Sequence, residues 1–410
     1  MQLVIRFSLL FSFLFVAFLS FEQTGYRFRN YSITNGLSQS SVTCIAQDFT
    51  YALWVGTQDG LNKFDGYKFE IFTASETEGL ESGYIHCSEK AKDGRVWFGT
   101  GNGLTVYNPF NESFKTFDLG SNLPLQIEDI FIDEKQKIWI ASSTHGIQLF
   151  NPEIQKFEGI KRQNKLQNAT KLHPLNNDEI LVYSFTSGLL KWNRKSNTLD
   201  SLVFKDQKEF VSVNKIIELG NDRMFLATDK GIFQYDNSSD TVVPVFPNLR
   251  QSFGEVKVTD IYAEEGTWYI ASANSGLFTI RNDGSIFNSS QDVFQKYTLL
   301  FNEINSIYKD RSGTFWIGSQ RGLSNFDPKN QGFYSVGPVG NLNQGLPSAS
   351  VWCIDETTSG KYLFVGTDNA LSRYDRAKGK FEHFFRNRNI GVRSARNASS
   401  ILSMYVINAN

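Results

Sequence analysis

Polar side chains recur at one point of a repeating strand, and that recurrence is where chemistry could reside. Aligned on a small or β-branched start (Val42, Ile85, Ile127, Ala169, Val213, Val258 and Ile304), the next residues are Thr43, His86, Glu128, Thr170, Asn214, Thr259 and Asn305. The position after that reads Cys44, Cys87, Asp129, Lys171, Lys215, Asp260 and Ser306. A second set lies in turns before a recurrent Gly-Leu: Gln58, Asp59, Asn102, His145, Ser187, Asp229, Asn274 and Arg321. Hydrogen-bonding groups of varied kind and mixed charge suit non-covalent binding of a neutral, hydroxyl-rich ligand better than a polyanion. The plainer alternative is that these strands line a wet channel and are polar for that reason alone.

Other chemistry finds little support. The histidines (His86, His145, His173, His383) have no metal-ligand spacing, and no Cys-x-x-Cys pair occurs. Neither a phosphate-binding glycine loop nor a GxSxG elbow is present. No cofactor or metal is indicated. Glu128, Asp129 and Asp260 are the only serious candidates for paired catalytic carboxylates. Asp48, Asp93 and Asp310 precede turns, where a short carboxylate bonds nearby backbone N–H groups, so structure explains them better than catalysis.

The elements that position these residues repeat eight times. An apolar strand, a small-residue turn and Gly-Leu or a variant recur, from LWVGTQDGLNKFD (53–65) to LFVGTDNALSRYD (363–375). The turn glycines are Gly60, Gly103, Gly146, Gly188, Gly231, Gly276 and Gly322, with Ala370 eighth, at steps of 43, 43, 42, 43, 45, 46 and 48 residues. Each unit parses into four short strands rich in aromatic and β-branched residues, with no amphipathic helix evident after residue 25. The pattern predicts an all-β fold, a β-propeller of four-stranded antiparallel blades. The turns require positive φ, which Ala370 adopts less readily than Gly, so the eighth turn should be distorted. Trp54, Trp97, Trp139, Trp268 and Trp316 should fill the gaps between blades. In such a ring the first strands line a central channel, and their starts share a face with the turns, giving a polar funnel.

Residues 26–32 (YRFRNYS) have fourth-strand aromatic spacing but precede any first strand, so they should complete the last blade. The same arrangement recurs at 331–354. We therefore expect a signal peptide at 1–22, a seven-bladed ring at 23–330, and the start of a second, incomplete propeller at 331–410; a single eight-bladed ring is the alternative. The stretch 398–406 resembles the first strand of a ninth unit, and the last 70 residues should be poorly packed.

Arg6 followed by an apolar run from Phe7 to Leu19 fits a secretory signal, or else an uncleaved anchor; no other stretch could cross a bilayer. The expected location is periplasmic or secreted. Net charge −1 gives no electrostatic reason to expect nucleic acid as a partner. Three cysteines, Cys44, Cys87 and Cys353, occupy equivalent first-strand positions and read as small buried side chains.

SSVTCIAQD with LWVGTQDGLNKFDGYKFEIF (40–72), and INSIYKDRSGTFWIGSQRGLSNFD (304–327), resemble the two-component-regulator propeller repeat. YSITNGLSQSSV resembles the opening of the periplasmic sensor region of hybrid two-component histidine kinases from Bacteroidetes. Units four to six depart most, with Tyr-Ser, Ala-Thr or Ala-Ser in place of Gly-Thr. The resemblance implies two seven-bladed propellers ahead of a β-sandwich, a membrane helix and a kinase, with oligosaccharide sensing and signalling through a homodimer. Most of the second propeller, the membrane helix and the kinase are not in this sequence, so it implies a truncated sensor without kinase activity. The leading expectation is a ligand-sensing propeller binding oligosaccharide non-covalently at the funnel. A secreted protein-interaction scaffold is the alternative, and a propeller lyase or glycosidase the third.

Overall fold

Both faces of each predicted blade are apolar, so the fold must cover each with a neighbour. The computed structural model describes residues 26–159, 164–207, 209–220, 223–293, 297–329, 345–348, 350–368, 370–376, 378 and 380–384. The expected signal segment and the strand-like stretch at 398–406 lie outside the described residues. Eight four-stranded antiparallel sheets are present. Seven belong to one compact unit ending at Lys329, and the eighth to a second unit, 330–410.

In six sheets of the first unit the strands follow chain order. The seventh is built from Ile304–Lys309, Phe315–Ser319 and Gly322–Phe326, and its outermost strand is Arg29–Tyr31 from the other end of the chain. Arg29 lies opposite Asn325 and Tyr31 opposite Leu323. The innermost strands are Val42–Gln47, Ile85–Lys90, Ile127–Ile132, Ala169–Pro174, Val213–Leu219, Val258–Glu264 and Ile304–Lys309. Each touches the next, and the last touches the first, so the ring closes.

Blade packing explains the Gly-Thr of the repeat. Gly56, Gly99 and Gly318 pair with Cys44, Cys87 and Ser306 of their own inner strands. A Cβ at Gly56 would lie 2.6 Å from Cys44 Sγ and 2.8 Å from Ile85 Cγ2 of the next blade. The close approach of backbone to the neighbouring blade is what excludes a side chain there. The turn glycines do have positive φ, as at Gly60 (105°) and Gly231 (110°). The eighth turn retains the same closing bond, Thr367 Oγ1 donating to Ala370 O at 2.9 Å, as Thr57 Oγ1 donates to Gly60 O at 2.9 Å.

Trp54, Trp97, Trp139 and Trp316 are buried between blades, whereas Trp268 is half-buried. Three of the indoles are tethered: Trp54, Trp139 and Trp316 donate Nε1–H to Asp48, Asp133 and Asp310 at 3.0, 3.1 and 2.7 Å. The other oxygens of Asp48 and Asp310 accept turn backbone N–H groups. One short helix, Pro247–Phe253, precedes the sixth blade. Only Leu249 of it is buried, so it carries no apolar stripe for a periodicity search to find.

The eighth sheet, Val351–Glu356 to Lys380–Phe384, repeats the same strand order. Leu346, Val365 and Phe381 form its small core, while Trp352 and Ile354 are exposed.

Candidate functional site at the channel mouth

Every inner strand carries a β-bulge, and the bulge falls on the recurrent polar position. Pairing with the second strand skips Thr43, His86, Glu128, Thr170, Asn214, Thr259 and Asn305, and likewise Trp352 in the eighth sheet. A bulged residue is left out of the ladder, which frees its side chain from the alternation of the strand.

Three of these residues spend their donors on the ring itself. Thr43 Oγ1 donates to Ile85 O at 2.6 Å, Asn214 Nδ2 to Val258 O at 2.7 Å, and Asn305 Nδ2 to Val42 O at 2.7 Å. In each case the acceptor is the first carbonyl of the next inner strand, so these contacts tie blade to blade. Thr259 Oγ1 is buried with no hydrogen-bond partner.

His86 and Glu128 come together. His86 Nδ1 lies 3.4 Å from Glu128 Oε2, with side-chain exposures of 10% and 22%. Ser143 Oγ donates to Glu128 Oε1 at 2.9 Å. Burial works against ionisation of Glu128, but the hydrogen bond and charge of His86, the Ser143 hydroxyl and Lys171 outweigh it and hold the carboxyl below its usual range. Nδ1 faces the carboxylate, so Nε2 is the ring nitrogen left to hydrogen-bond a ligand hydroxyl, as acceptor from a neutral ring or donor from a charged one. That atom is buried and has no partner. The half-exposed Tyr84 ring stacks on the imidazole at 4.1 Å, and a Cβ at Gly101 would lie 3.9 Å from Nε2. Sequence reasoning missed Tyr84 and Ser143, because the residue type at each of their positions changes from unit to unit.

The turn residues stay dispersed. Asp59, Asn102 and Asn274 are exposed. His145 bonds Ser121 Oγ at 3.0 Å and Thr144 Oγ1 at 2.9 Å. Asp229 Oδ1 accepts Ser212 N–H at 2.8 Å, and the Arg321 guanidinium lies 4.4 Å from the centre of the Phe301 ring.

Deeper in the channel, charges converge. Lys215 on the fifth inner strand interacts electrostatically with Asp260, Asp129, Glu89 and Cys87, which lie on the sixth, third and second strands. Only the centre of the ring lets one amine reach all of them. Burial disfavours the charged amine, but these acids outweigh it and raise its pKa. Burial likewise pushes the Glu89 carboxyl up to about 7, although Lys215 opposes the shift. Asp129 Oδ2 accepts Leu172 N–H at 3.2 Å, and Asp260 Oδ2 accepts Ile307 N–H at 2.9 Å. Both carboxylates are thus engaged with the next inner strand's backbone.

The two-component regulator propeller family matches residues 79–102 and 298–321. The matches fall on the second and seventh blades of the ring, around their inner strands. Histidine kinase P4 of Formosa agariphila is 50% identical over 64 residues, 16% of this chain and 5% of that protein. Among solved structures, the extracellular domain of the hybrid two-component system BT3049 of B. thetaiotaomicron superposes with TM-score 0.64 at 19% identity, over 87% of this chain and 54% of that one. The BT4673 extracellular domain gives 0.62 at 19% identity, again over 87% and 54%. The chain therefore spans about half the length of these solved domains and 5% of the kinase. A streptogramin B lyase shares the propeller fold at 12% identity (TM-score 0.57). The propeller fold is thus shared with sensor domains and with an enzyme. No helix of the described residues is long and apolar enough to cross a membrane.

Proposed function

We propose that this chain is a periplasmic or secreted ligand-sensing propeller of a two-component sensor, taking a hydroxyl-rich oligosaccharide non-covalently at the channel mouth. One observation carries the reading: a buried, unpartnered His86 Nε2, oriented by Glu128 and flanked by the exposed Tyr84 ring. A ring nitrogen aimed by a neighbouring carboxylate can hydrogen-bond a sugar hydroxyl, and an amphipathic ring beside it can cover the apolar face of a sugar. Ser143 supplies a further hydroxyl next to Glu128. The extracellular sensor domains that share the fold support the class of role. In a whole sensor, the bound state would be passed on through a homodimer.

Titration of the chain with a panel of neutral and acidic oligosaccharides tests this. His86→Ala and Glu128→Gln should each weaken the accepted glycan, by about tenfold for a buried, charge-linked hydrogen bond. Unchanged binding in both variants would remove the mouth from consideration. Catalysis has a narrower footing, because Asp129 and Asp260 are engaged with backbone and only the His86–Glu128 pair is left. Turnover of any panel member, abolished by Glu128→Gln, would favour it.

A further inference from the structure

Trp268 is the one member of the tryptophan series that opens to solvent, and its surroundings form a cavity. Trp54, Trp139 and Trp316 each have an aspartate six residues earlier; Trp268 has Tyr262 there, and its Nε1–H has no partner among the described residues. Trp97 also lacks the aspartate but is sealed, with the Arg95 guanidinium 5.6 Å from its ring. Beside Trp268 the sixth blade and the segment leading into it from the fifth leave a cavity of about 330 Å³ lined by Phe246, Asn248, Gly266, Trp268, Ile280 and Arg281, among others. The volume falls at the small end of ligand sites.

The indole is held as a rigid wall. Phe225 and Phe246 pack against it in T-shaped contacts, each at 4.9 Å, with interplanar angles of 75° and 71°. Phe246 does so from a left-handed backbone (φ 55°), a conformation that costs a bulky residue energy and fixes its ring at the start of the short helix. The rim is polar and exposed. Asn282 Nδ2 donates to Glu265 O at 3.0 Å, which leaves Oδ1 to accept. Asn282 lies directly across Gly266, where a Cβ would be 1.7 Å from Oδ1. The Arg281 guanidinium rests 4.3 Å from the Phe287 ring centre and makes no ion pair among the described residues.

We infer that this groove, between the sixth blade and the segment leading into it, is a second carbohydrate subsite, taking a single pyranose ring stacked on Trp268. A pyranose has a face of C–H groups and an equatorial belt of hydroxyls. A flat aromatic wall with an amide, an amide oxygen, a guanidinium and an indole N–H around it matches both features. An extended proline-rich peptide would also stack on an indole, but a cavity this short holds little of one. The inference goes beyond the mouth reading, and it succeeds or fails separately.

The test is saturation-transfer NMR and fluorescence titration of the chain with cellobiose, maltose, xylobiose and an oligoproline peptide. At least one sugar should bind, Trp268→Phe should remove most of the fluorescence change, and Trp268→Ala should weaken binding about tenfold. Asn248 is exposed, so Asn248→Ala keeps the fold and should cost roughly two- to tenfold. His86→Ala should leave this binding unchanged. The inference is overturned if no sugar binds, if binding survives both Trp268→Ala and Asn248→Ala, if oligoproline alone binds, or if His86→Ala removes all sugar binding.

Discussion

Gly99 and Ile127 meet across the joint between the second and third blades so closely that a methyl group on Gly99 would sit 2.5 Å from Ile127 Cγ2. Ile127 is fully buried and cannot retreat. Gly99→Ala should therefore destabilise the ring by about 1–3 kcal/mol, read as a lower denaturant midpoint. Gly159→Ala is the control: nothing lies within 4 Å of its Cβ, and the change should stay within about 0.5 kcal/mol.

The aspartate tethers give a second prediction. Asp310 holds the Trp316 indole at 2.7 Å and two backbone N–H groups of its own turn. Asp310→Ala should cost about 1–3 kcal/mol, since the part-buried Trp316 and Thr314 donors and the exposed Ser312 N–H lose their acceptor together. Asp310→Asn keeps one acceptor oxygen and should cost less.

The central charges predict a pH dependence. Glu89 stays protonated in the fold up to about pH 7, whereas in the unfolded chain it loses its proton near the ordinary carboxylate value. Between those two pH values the folded state holds more protons, so raising the pH lowers stability across that window. Glu89→Gln should flatten the midpoint-versus-pH curve there, by an effect on the order of 1–3 kcal/mol.

Lys215 is the counterpart. Lys215→Met leaves Glu89, Asp129 and Asp260 around the axis without their shared cation. The expected loss is about 3–5 kcal/mol at pH 8, and less at pH 5, where Glu89 is neutral. Equal loss at both pH values would show that packing of the lysine stem dominates.

The bulge residues should separate into two groups. Asn214→Ala and Asn305→Ala each remove a bond to the next blade and should cost about 1 kcal/mol of stability with no change in ligand affinity. His86→Ala should do the reverse.

The blade architecture was legible because backbone needs dictate residue type: glycine at positive-φ turns such as Gly60, tryptophan between sheets, and aromatic spacing in 26–32 for the strand that pairs with Gly322–Phe326. The recurrent polar position was equally visible, but its cause was not. A bulge leaves no mark on composition, so Thr43, Asn214 and Asn305 read as ligand candidates when their donors go to neighbouring carbonyls. Glu89 was missed because nothing local to the sequence brings it near Lys215; only closure of the ring does. Trp268 read as one more core tryptophan, and no local signal sets it apart: Trp97 also lacks an aspartate six residues earlier and is buried.

The bulges also bear on how such a protein diversifies. Because the second residue of each inner strand makes no ladder bonds, its identity is largely uncoupled from strand pairing. Positions around one rim can then be exchanged without disturbing the ladder, like tumblers in a lock, although Thr43, Asn214 and Asn305 also tie blade to blade. New recognition would arise by altering the lettering of the rim while the barrel that carries it stays the same.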